Sequence, residues 1–575
     1  MGGGARDAKA LVTTLVEAVF GRGDFTCVRE LAAPEAADAV RRSLEECRRI
    51  AGPAASGLAI DRLAAGDGLV VCYCTWPPGR TSPLLFRVAG GRVTECWHRW
   101  ERAEAGEVPQ RVDTGDPELA LDEIQAHVLA GFTAPFQTAL FVELADLAPA
   151  KRWLGRVARQ VTPLAAAPPE DLVARGGLAA AFTFGGLRKL ADDADRFREA
   201  PFKEGLHGRS ALLGDPRDAR ARGHPRNWIV GGPGSVPDVF LLVAGSSRAA
   251  VAAAVTRVAP GPEDGARVVF AQEAAALNGP YGPREHFGFR DPVSQPGIRG
   301  LTPRSDPANP DYGHPGQRLV WPGEFVFGYP GQSAMHLVHP GPVTAAGPVW
   351  GANSSYLVVR RLRQDVGAFR RFLAAAAAQV GVTPEQFAAK CFGRWPSGAP
   401  LAVAPDRDDP ALGVDVTRNN DFGFAADALG VVCPQAAHIR KAYLRDHPTS
   451  DVAAPGVETH RLLRRSIAYG PPYPRRGDRG LLFLAYQTSF ERQFEFVTRA
   501  WLNNPVLRDG EDGHDPVAGQ NGRHPRRERR FAVPLRAPDG GVSTVVLTIA
   551  EEWVTPTGGG YFFAPSISAL ELLAC

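Results

Sequence analysis

Cysteine is scarce in this 575-residue chain, and long apolar runs are missing. The eight cysteines lack the paired CxxC spacing of a zinc site, so neither a disulfide framework nor a structural zinc centre is expected. No stretch approaches the roughly 20 apolar residues that span a membrane. Basic and acidic residues nearly balance, at 65 against 62, which gives no reason to expect a nucleic-acid partner or an anionic membrane surface. These absences predict a cytoplasmic protein with reduced thiols and small-molecule partners.

Two charged segments agree with that prediction. Near the amino terminus, Asp7 and Lys9 interrupt the apolar stretch that a secretory signal would require. The basic run RHPRRERR, residues 523–530, has no interleaved aromatic residues. Because such runs are usually hydrated, we interpret it as a solvated loop and not as a nucleic-acid-binding surface.

The pattern of apolar and polar residues predicts a small α+β unit in the amino-terminal hundred residues. Residues 8–20 alternate apolar and polar positions at helical spacing. Short strands are predicted at 68–76, 84–91 and 92–100. The acidic segment that follows bears Gly and Pro and has few large apolar residues, which is typical of a linker. We therefore expect an accessory domain at 1–105 and a linker at 106–119.

Beyond the linker, one pattern recurs four times: a strand, a polar turn and an amphipathic helix. The four segments are 138–161, 238–259, 354–380 and 480–501. Extra strands are predicted between them, as in LAAAFTF and ARVVFAQ. Such units favour an α+β fold whose helices pack on one face of each sheet. Two related halves are expected, at 120–300 and 301–575.

Asp291 is the one acid in the stretch HFGFRDPVSQPGIRG, residues 286–300. A glycine-rich apolar segment precedes it, and proline and glycine follow it. The stretch lies in a region rich in Gly and Pro that extends over 276–350. Because long loops in compact domains usually serve a site, we expect Asp291 to have a chemical role.

His438 is the most informative of the thirteen histidines. In CPQAAHIRKAYLRD it is followed closely by Arg440, Lys441 and Arg445. Neighbouring cations disfavour protonation of the imidazole, which suits a metal ligand beside anionic groups. The same pattern is also that of a histidine held in place by hydrogen bonds, so spacing alone leaves both interpretations open.

The blocks around these residues resemble those of dye-decolourising peroxidases, a family of haem enzymes, over about residues 120–575. The blocks that carry the resemblance are GFRDPVSQPGIRG, WPGEFVFGYP, GRWPSGAPL, NNDFGF, CPQAAHIRKAYLRD, HRLLRRSIAYG, DRGLLFLAYQ, HDPVAGQ and GGGYFFAPSISAL. The resemblance implies two ferredoxin-like halves that form an α+β sandwich around one haem b. It also implies hydrogen peroxide and an organic electron donor as partners.

The resemblance assigns three residues to the proximal side of the haem. His438 matches the iron ligand, and Asp515 in HDPVAGQ is the candidate carboxylate behind it. A carboxylate that accepts the other N–H of a ligating imidazole raises its basicity. Arg445 matches a partner of a haem propionate, since arginine binds carboxylates well.

Four further residues are assigned to the distal side. Asp291 matches the acid that takes a proton from peroxide and returns it to the leaving oxygen. Arg464 matches the arginine that stabilises the developing negative charge. Leu481 and Phe483 would form the distal wall. The family pattern has a glycine directly after the acid, whereas this chain has Pro292 there. Because proline fixes φ and glycine does not, Pro292 could redirect Asp291.

The amino-terminal unit resembles the NTF2-like or SnoaL-like fold, an α+β cone in which Asp61 and His98 could line a pocket. This unit could also mediate homo-oligomer formation. Together the resemblances predict a haem peroxidase that oxidises phenolic or dye-like donors in one-electron steps. The alternative is a haem-binding or haem-handling protein in which Pro292 has suppressed peroxide cleavage. A third interpretation gives the main activity to the amino-terminal domain.

Overall fold

The computed structural model divides the chain into two compact units, Met1–Asp113 and Thr114–Cys575. It describes residues 3–22, 24–38, 40–42, 44–45, 59–66, 69–76, 80–89, 91–98, 115–166 and 176–575, apart from 307, 450, 451, 453, 509, 511 and 538. The predicted linker at 106–119 falls largely outside these residues. Its exact bounds, and the boundary at 300, stay predictions.

The first unit joins helices to an antiparallel sheet. Its elements are α1 (Gly3–Val16), α2 (Cys27–Leu31), β1 (Ala59–Gly66), β2 (Leu69–Trp76), β3 (Arg80–Ala89) and β4 (Arg92–His98). The sheet order is β1-β2-β3-β4. Apolar residues of α1, among them Val12, Leu15 and Val16, share a core with Phe86 and Val93. An NTF2-like cone stays a prediction, and the side chains of Asp61 and His98 lie outside the described part of the structure.

The second unit is a mixed α and β domain. Its strands are β5 (Phe136–Leu144), β6 (Gly177–Phe182), β7 (Val239–Gly245), β8 (Ala266–Ala275), β9 (Leu277–Gly279), β10 (Gly282–Arg284), β11 (Gly297–Ile298), β12 (Leu319–Val320), β13 (Pro330–Gln332), β14 (Pro340–Val343), β15 (Ser355–Gln364), β16 (Leu463–Arg464), β17 (Ile467–Tyr469), β18 (Gly480–Gln487), β19 (Arg529–Arg536), β20 (Val542–Ile549) and β21 (Val554–Ala564). Its helices are α3 (Ala126–Leu129), α4 (Leu147–Ala158), α5 (Phe184–Leu190), α6 (Ala200–Glu204), α7 (Leu206–Arg209), α8 (Arg248–Val258), α9 (Val366–Val380), α10 (Pro384–Phe392), α11 (Pro410–Val414), α12 (His438–Ala442), α13 (Ala454–Val457) and α14 (Ile567–Ala574).

One large sheet contains strands of both predicted halves, whereas the repeats predicted two separate sheets. Within the described residues its order is β16-β18-β15-β21-β6-β7-β5-β8, with β17 also paired to β18. In each half the first strand lies between the third and the fourth, as β5 does between β7 and β8 and β15 does between β18 and β21. That is the strand order of a ferredoxin-like unit. The two ferredoxin-like halves join where β21 pairs with β6, at Phe563 and Phe182. The predicted α+β fold of two ferredoxin-like halves is confirmed.

The central strands are buried on both faces, because successive side chains of a strand point to opposite sides. In β5, Leu140 and Val142 belong to one core cluster, whereas Ala139 and Phe141 belong to another. The short apolar runs of the sequence are therefore core strands of a covered sheet.

Each of the four repeated helices begins at a Ser or Asp whose side chain accepts a backbone N–H. These capping residues are Asp146, Ser247, Asp365 and Ser489. Because such caps satisfy donors that the first helical turn leaves unpaired, they fix where each strand-to-helix turn ends.

The fourth helix differs from the expected α-helix. Residues Phe490–Glu495 and Val497–Leu502 form wide π-type turns. These turns bury three consecutive side chains: Gln493 donates to carbonyls of Glu324 and Arg461, Phe494 enters the core, and Glu495 pairs with Arg209. An ideal α-helix of 3.6 residues per turn does not direct three consecutive side chains to one side. In the part of the chain that is described, no helix is long and apolar enough to cross a bilayer.

Candidate functional site

His438 and Asp515 form a hydrogen-bonded pair. His438 is the first residue of α12, and its Nδ1 donates to Oδ2 of Asp515 at 2.6 Å. The other oxygen of Asp515 accepts the backbone N–H groups of Val517 and Ala518 at 2.7 and 3.0 Å. The Asp515 side chain is fully buried, whereas that of His438 is 26% exposed. The arrangement commits Nδ1 and leaves Nε2 as the nitrogen available to a metal.

Electrostatics strengthen this pair. Burial acts to lower the pKa of His438, but the charge and hydrogen bond of Asp515 outweigh it, and the net pKa is raised. Burial would raise the pKa of Asp515, but the charge and hydrogen bond of His438 and the two backbone donors bring it below its usual value. The carboxylate is therefore ionised, and it makes the imidazole a stronger base.

Asp291 and Arg464 form a second pair, on different elements. Arg464 ends the short strand β16, and its Nη1 lies 3.3 Å from Oδ1 of Asp291. Both side chains are partly open to solvent, at 25% exposed for Asp291 and 32% for Arg464. The pair is longer and more hydrated than the one between His438 and Asp515.

Gln295 and Ser294 connect the Asp291 loop to Arg464. Gln295 Oε1 accepts the backbone N–H of Arg464 at 3.3 Å, and its Nε2 donates to the carbonyl of Arg464 at 2.7 Å. Nη2 of Arg464 donates to the carbonyl of Ser294 at 2.9 Å. Gln295 is not among the residues predicted for the site, although it follows Asp291 closely in GFRDPVSQPGIRG.

Pro292 does not turn Asp291 away from Arg464. The backbone N–H of Asp291 donates to the carbonyl of Pro283 at 3.2 Å, and that of Arg290 donates to the carbonyl of Pro396 at 3.1 Å. These contacts hold the chain on entry to Pro292 so that the carboxylate faces the guanidinium. Gly288, three residues before the acid, has a positive φ of 108°, whereas Pro292 directly after the acid does not have one.

The two pairs affect one another. The charge of Arg464 acts to lower the pKa of His438 and the charge of Asp291 acts to raise it, although burial and Asp515 have larger effects. Such coupling requires proximity, because charges in a protein interact appreciably only over short distances. The ring contacts agree, since Phe392 lies edge-on to the His438 imidazole and stacks on Phe289, two residues before Asp291. The two pairs therefore lie in one region of the structure.

Three arginines concentrate positive charge there. Burial, followed by the charges of Arg445 and Arg464, lowers the pKa of Arg394 to about 9. Nη1 of Arg445 donates to the carbonyls of Asn420 and Phe422, both at 3.0 Å, and its guanidinium lies over the Phe422 ring. No carboxylate among the described residues forms an ion pair with Arg394 or Arg445. Such a cluster suits an anionic ligand with carboxylates.

Arg394 is not among the residues predicted for the site, although it lies in GRWPSGAPL, one of the blocks that resemble the family. The neighbouring Arg465, in contrast, has a structural position: it donates to backbone carbonyls of His127, Val128 and Leu129. Of the two adjacent arginines, only Arg464 faces Asp291.

Leu481 and Phe483 lie on one face of β18. Both are partly exposed, whereas Leu482 and Leu484 on the opposite face are completely buried. Alternation in a strand therefore leaves Leu481 and Phe483 as the apolar side chains with open surface. This placement agrees with the predicted apolar wall, whose role stays a prediction.

The basic run 523–530 is only partly a solvated loop. Arg523 and Arg526 are exposed, as expected, but Arg529 is buried and donates to carbonyls of Gly519 and Glu551. Its guanidinium lies over Trp553, 4.9 Å from the ring centroid. The prediction was wrong for Arg529 because a guanidinium on an aromatic face loses little by burial when its donors are satisfied. Through its hydrogen bond to Gly519, Arg529 stabilises the loop that carries Asp515.

The donor set fits a haem better than a bare metal ion. In the described ranges, no group of three or more His, Cys, Asp or Glu side chains is placed to hold a metal ion. The site offers one imidazole with a carboxylate behind it, arginines for anionic groups, and apolar side chains. Haem iron needs only such an axial ligand, because the macrocycle supplies the other donors.

Comparisons with known proteins point the same way. Residues 332–511 match the family model described as Dyp-type peroxidase, C-terminal. A dye-decolorizing peroxidase from Mycena epipterygia is 30% identical over 502 residues, covering 81% of this chain and 89% of that protein. A solved ancestral D-type dye-decolorizing peroxidase superposes with a TM-score of 0.68 at 30% identity, covering 79% of this chain and 99% of its own. A dye-decolorizing peroxidase solved with 2,6-dimethoxyphenol gives 0.65 at 29% identity, covering 80% and 100%.

Proposed function

The chain belongs to the dye-decolourising peroxidase family, and on that premise we propose that it reduces hydrogen peroxide and oxidises phenolic or dye-like donors in one-electron steps. The cofactor is one haem b per chain, bound through Nε2 of His438. The observation that carries the proposal is the presence of two pairs whose charges act on one another, His438 with Asp515 and Asp291 with Arg464.

Each residue of the proximal side has a defined task. Bound haem would supply the iron at which peroxide binds and the electrons that reduce it. Asp515 keeps the proton of the imidazole on Nδ1, so Nε2 presents its lone pair to iron. Arg394 and Arg445 bind the propionate carboxylates. Their hydrogen bonds within the described structure go to backbone carbonyls and to the Asn420 side chain, and neither arginine forms an ion pair with an acid there.

On the distal side, Asp291 acts as a general base and then as a general acid. Its carboxylate takes the proton from one oxygen of hydrogen peroxide and gives it to the other, which leaves as water. Arg464 stabilises the negative charge that develops as the O–O bond breaks, since its guanidinium keeps its charge and is held by Ser294. Leu481 and Phe483 limit the water in contact with this charge.

Other parts of the proposal extend the sequence predictions. The amino-terminal unit serves as an accessory domain, of NTF2-like fold, through which a homo-oligomer forms. The scarcity of cysteine supports a cytoplasmic location. Asp291 faces Arg464 despite Pro292, and this geometry favours a peroxidase over a protein that only carries haem.

A direct test uses the haem-loaded protein with 2,6-dimethoxyphenol, which a related structure contains. We expect oxidation that requires both haem and peroxide and is lost in Asp291→Asn. Asp406→Asn, which changes an exposed acid of another loop, should keep full activity. A protein that binds haem stoichiometrically but oxidises no donor at any pH would instead support the haem-handling alternative.

A further inference from the structure

Glu285 is a buried carboxyl group whose hydrogen-bond donors in the described structure are all neutral. Its side chain accepts three hydrogen bonds, from the backbone N–H groups of Phe287 and Phe289 at 2.8 and 3.0 Å and from Nε2 of Gln364 at 2.7 Å. Other buried carboxylates of this unit are paired, such as Asp215 with Arg360 and Glu324 with Arg492. In the described structure Glu285 forms no ion pair. A burial this costly calls for a purpose other than stability.

The three hydrogen bonds define the turn that leads into Asp291. The backbone N–H of Glu285 donates to the carbonyl of Phe289, and the N–H of Gly288 donates to the carbonyl of Glu285. The carboxyl group of Glu285 thus closes a turn that ends two residues before Asp291. Through Gln364, the last residue of β15, it fastens this turn to the central sheet.

Aromatic contacts extend the same turn to the other side of the site. The Phe289 ring stacks on Phe392 with 3.6 Å between ring centroids, and Phe392 meets the His438 imidazole edge-on at 6.3 Å. Movement of the turn would therefore disturb both the acid and the packing next to the imidazole.

The surroundings of Glu285 shift its pKa and can accommodate both of its protonation states. Burial raises the pKa of Glu285 to about 7, although the hydrogen bonds that its carboxylate accepts act to lower it. The charge of Asp291 adds to the rise. Gln364 is a suitable partner in both states: its Nε2 donates to the carboxylate, while its Oε1, which has no partner now, would accept from the acid after an amide flip. The carboxylate alone accepts all three donors.

We propose that Glu285 is a positioning residue for the distal acid, and that its ionised form sets the orientation of Asp291 for proton transfer from peroxide. This inference rests on the proposed peroxidase function. The charged group that acts on Glu285 from its own loop is Asp291, whereas Arg284 and Arg479 act on the adjacent His286. Gln364 on β15 and the phenylalanines of α9 and α10 are uncharged.

The test compares wild type with Glu285→Gln by stopped-flow observation of the Soret band after mixing with peroxide, from pH 5 to pH 8.5. Above pH 7 we expect the variant to react ~10-fold more slowly, since misplacing a general base removes part of its typical 10²–10⁴-fold contribution. Below that pH the two rates should converge, because a protonated Glu and a Gln have the same shape. A variant that only folds badly would be slower at every pH.

Glu324→Gln is the matched control. Glu324 is also completely buried, with a pKa raised to about 7 by burial. Its partners are Gln332 and Arg492, which are not part of the Asp291 loop. This variant should lose stability and keep the wild-type pH profile. Equal rates and profiles for wild type and Glu285→Gln would overturn the inference and leave the function intact. A wild type whose Soret band ignores peroxide would refute the function itself.

A measurement without haem keeps the inference testable if the variant does not fold. The apoprotein of Glu324→Gln lacks the other buried carboxyl group whose pKa is raised to about 7. In that protein the infrared C=O stretch of a protonated carboxyl should titrate near pH 7, and the amide exchange of Phe287 and Phe289 should accelerate as that band grows. Amide protection that is independent of the band would contradict the role of the carboxylate in holding the turn.

Discussion

The two sides of the site are built in opposite ways. On the proximal side, a fully buried Asp515 binds His438 at 2.6 Å and is itself fixed by two backbone donors. On the distal side, Asp291 and Arg464 are partly hydrated and 3.3 Å apart. A ligand to a resident cofactor benefits from rigidity, whereas an acid–base group needs access for its substrate. Under the proposed roles, the contrast means that burial serves the pair that would bind the cofactor, whereas the pair that would meet peroxide stays open to solvent.

The largest effect should follow from His438→Ala, which removes the proximal anchor. Haem retention should fall to the level of nonspecific binding, because no other described side chain replaces the axial imidazole. The absorbance ratio of the Soret band to the protein band, after gel filtration, measures this. His524→Ala, at an exposed histidine of the basic run, should retain haem normally.

Arg464→Gln should break the distal side alone. We expect the peroxide step to slow by ~10²–10³-fold, the usual cost of losing a charge-stabilising donor, with haem content unchanged. Rapid-mixing kinetics of the purified holoprotein give the rate. Arg526→Gln, whose parent side chain is 83% exposed, is the matched control. Loss of haem in Arg464→Gln would mean that this arginine serves mainly the propionates.

Asp515→Asn sharpens the comparison from the proximal side. The amide keeps the shape but not the charge, so haem affinity or activity should fall roughly 10–100-fold, as is typical for partners of metal-ligating histidines. Competitive transfer of haem to an apo-acceptor measures the affinity. If the loss appears only in the peroxide rate, Asp515 tunes the ligand without securing it.

Gln295→Leu should have the smallest effect. It removes two hydrogen bonds to the backbone of Arg464 but keeps the volume. A net loss of about 1 kcal/mol would reduce the peroxide rate by roughly 5-fold at unchanged haem content. An effect as large as that of Arg464→Gln would show that the distal arginine depends on this one connection.

The strand-to-helix units and the residues with a distinctive chemical type were predictable from sequence. Apolar runs followed by a Ser or Asp predict strands β5, β7, β15 and β18 and the helices after them. The pairing of His438 with Asp515 was predicted from the family blocks. The positions of Arg394, Gln295 and Glu285 relative to the site were not predictable, because each side chain contacts residues that are distant in sequence. The consequence of Pro292 was open for the same reason: the contacts of Arg290 and Asp291 with Pro396 and Pro283 decide it.

The most direct test of the account is the rate at which peroxide changes the Soret band of haem-loaded wild type and of Asp291→Asn. We expect a rapid change in wild type and a rate at least ~100-fold lower in the variant, because general acid–base catalysis typically contributes 10²–10⁴-fold. Cyanide binding to the iron should verify that the haem of the variant is accessible. Equal rates in the two proteins would contradict the assignment of Asp291 as the group that moves the peroxide proton.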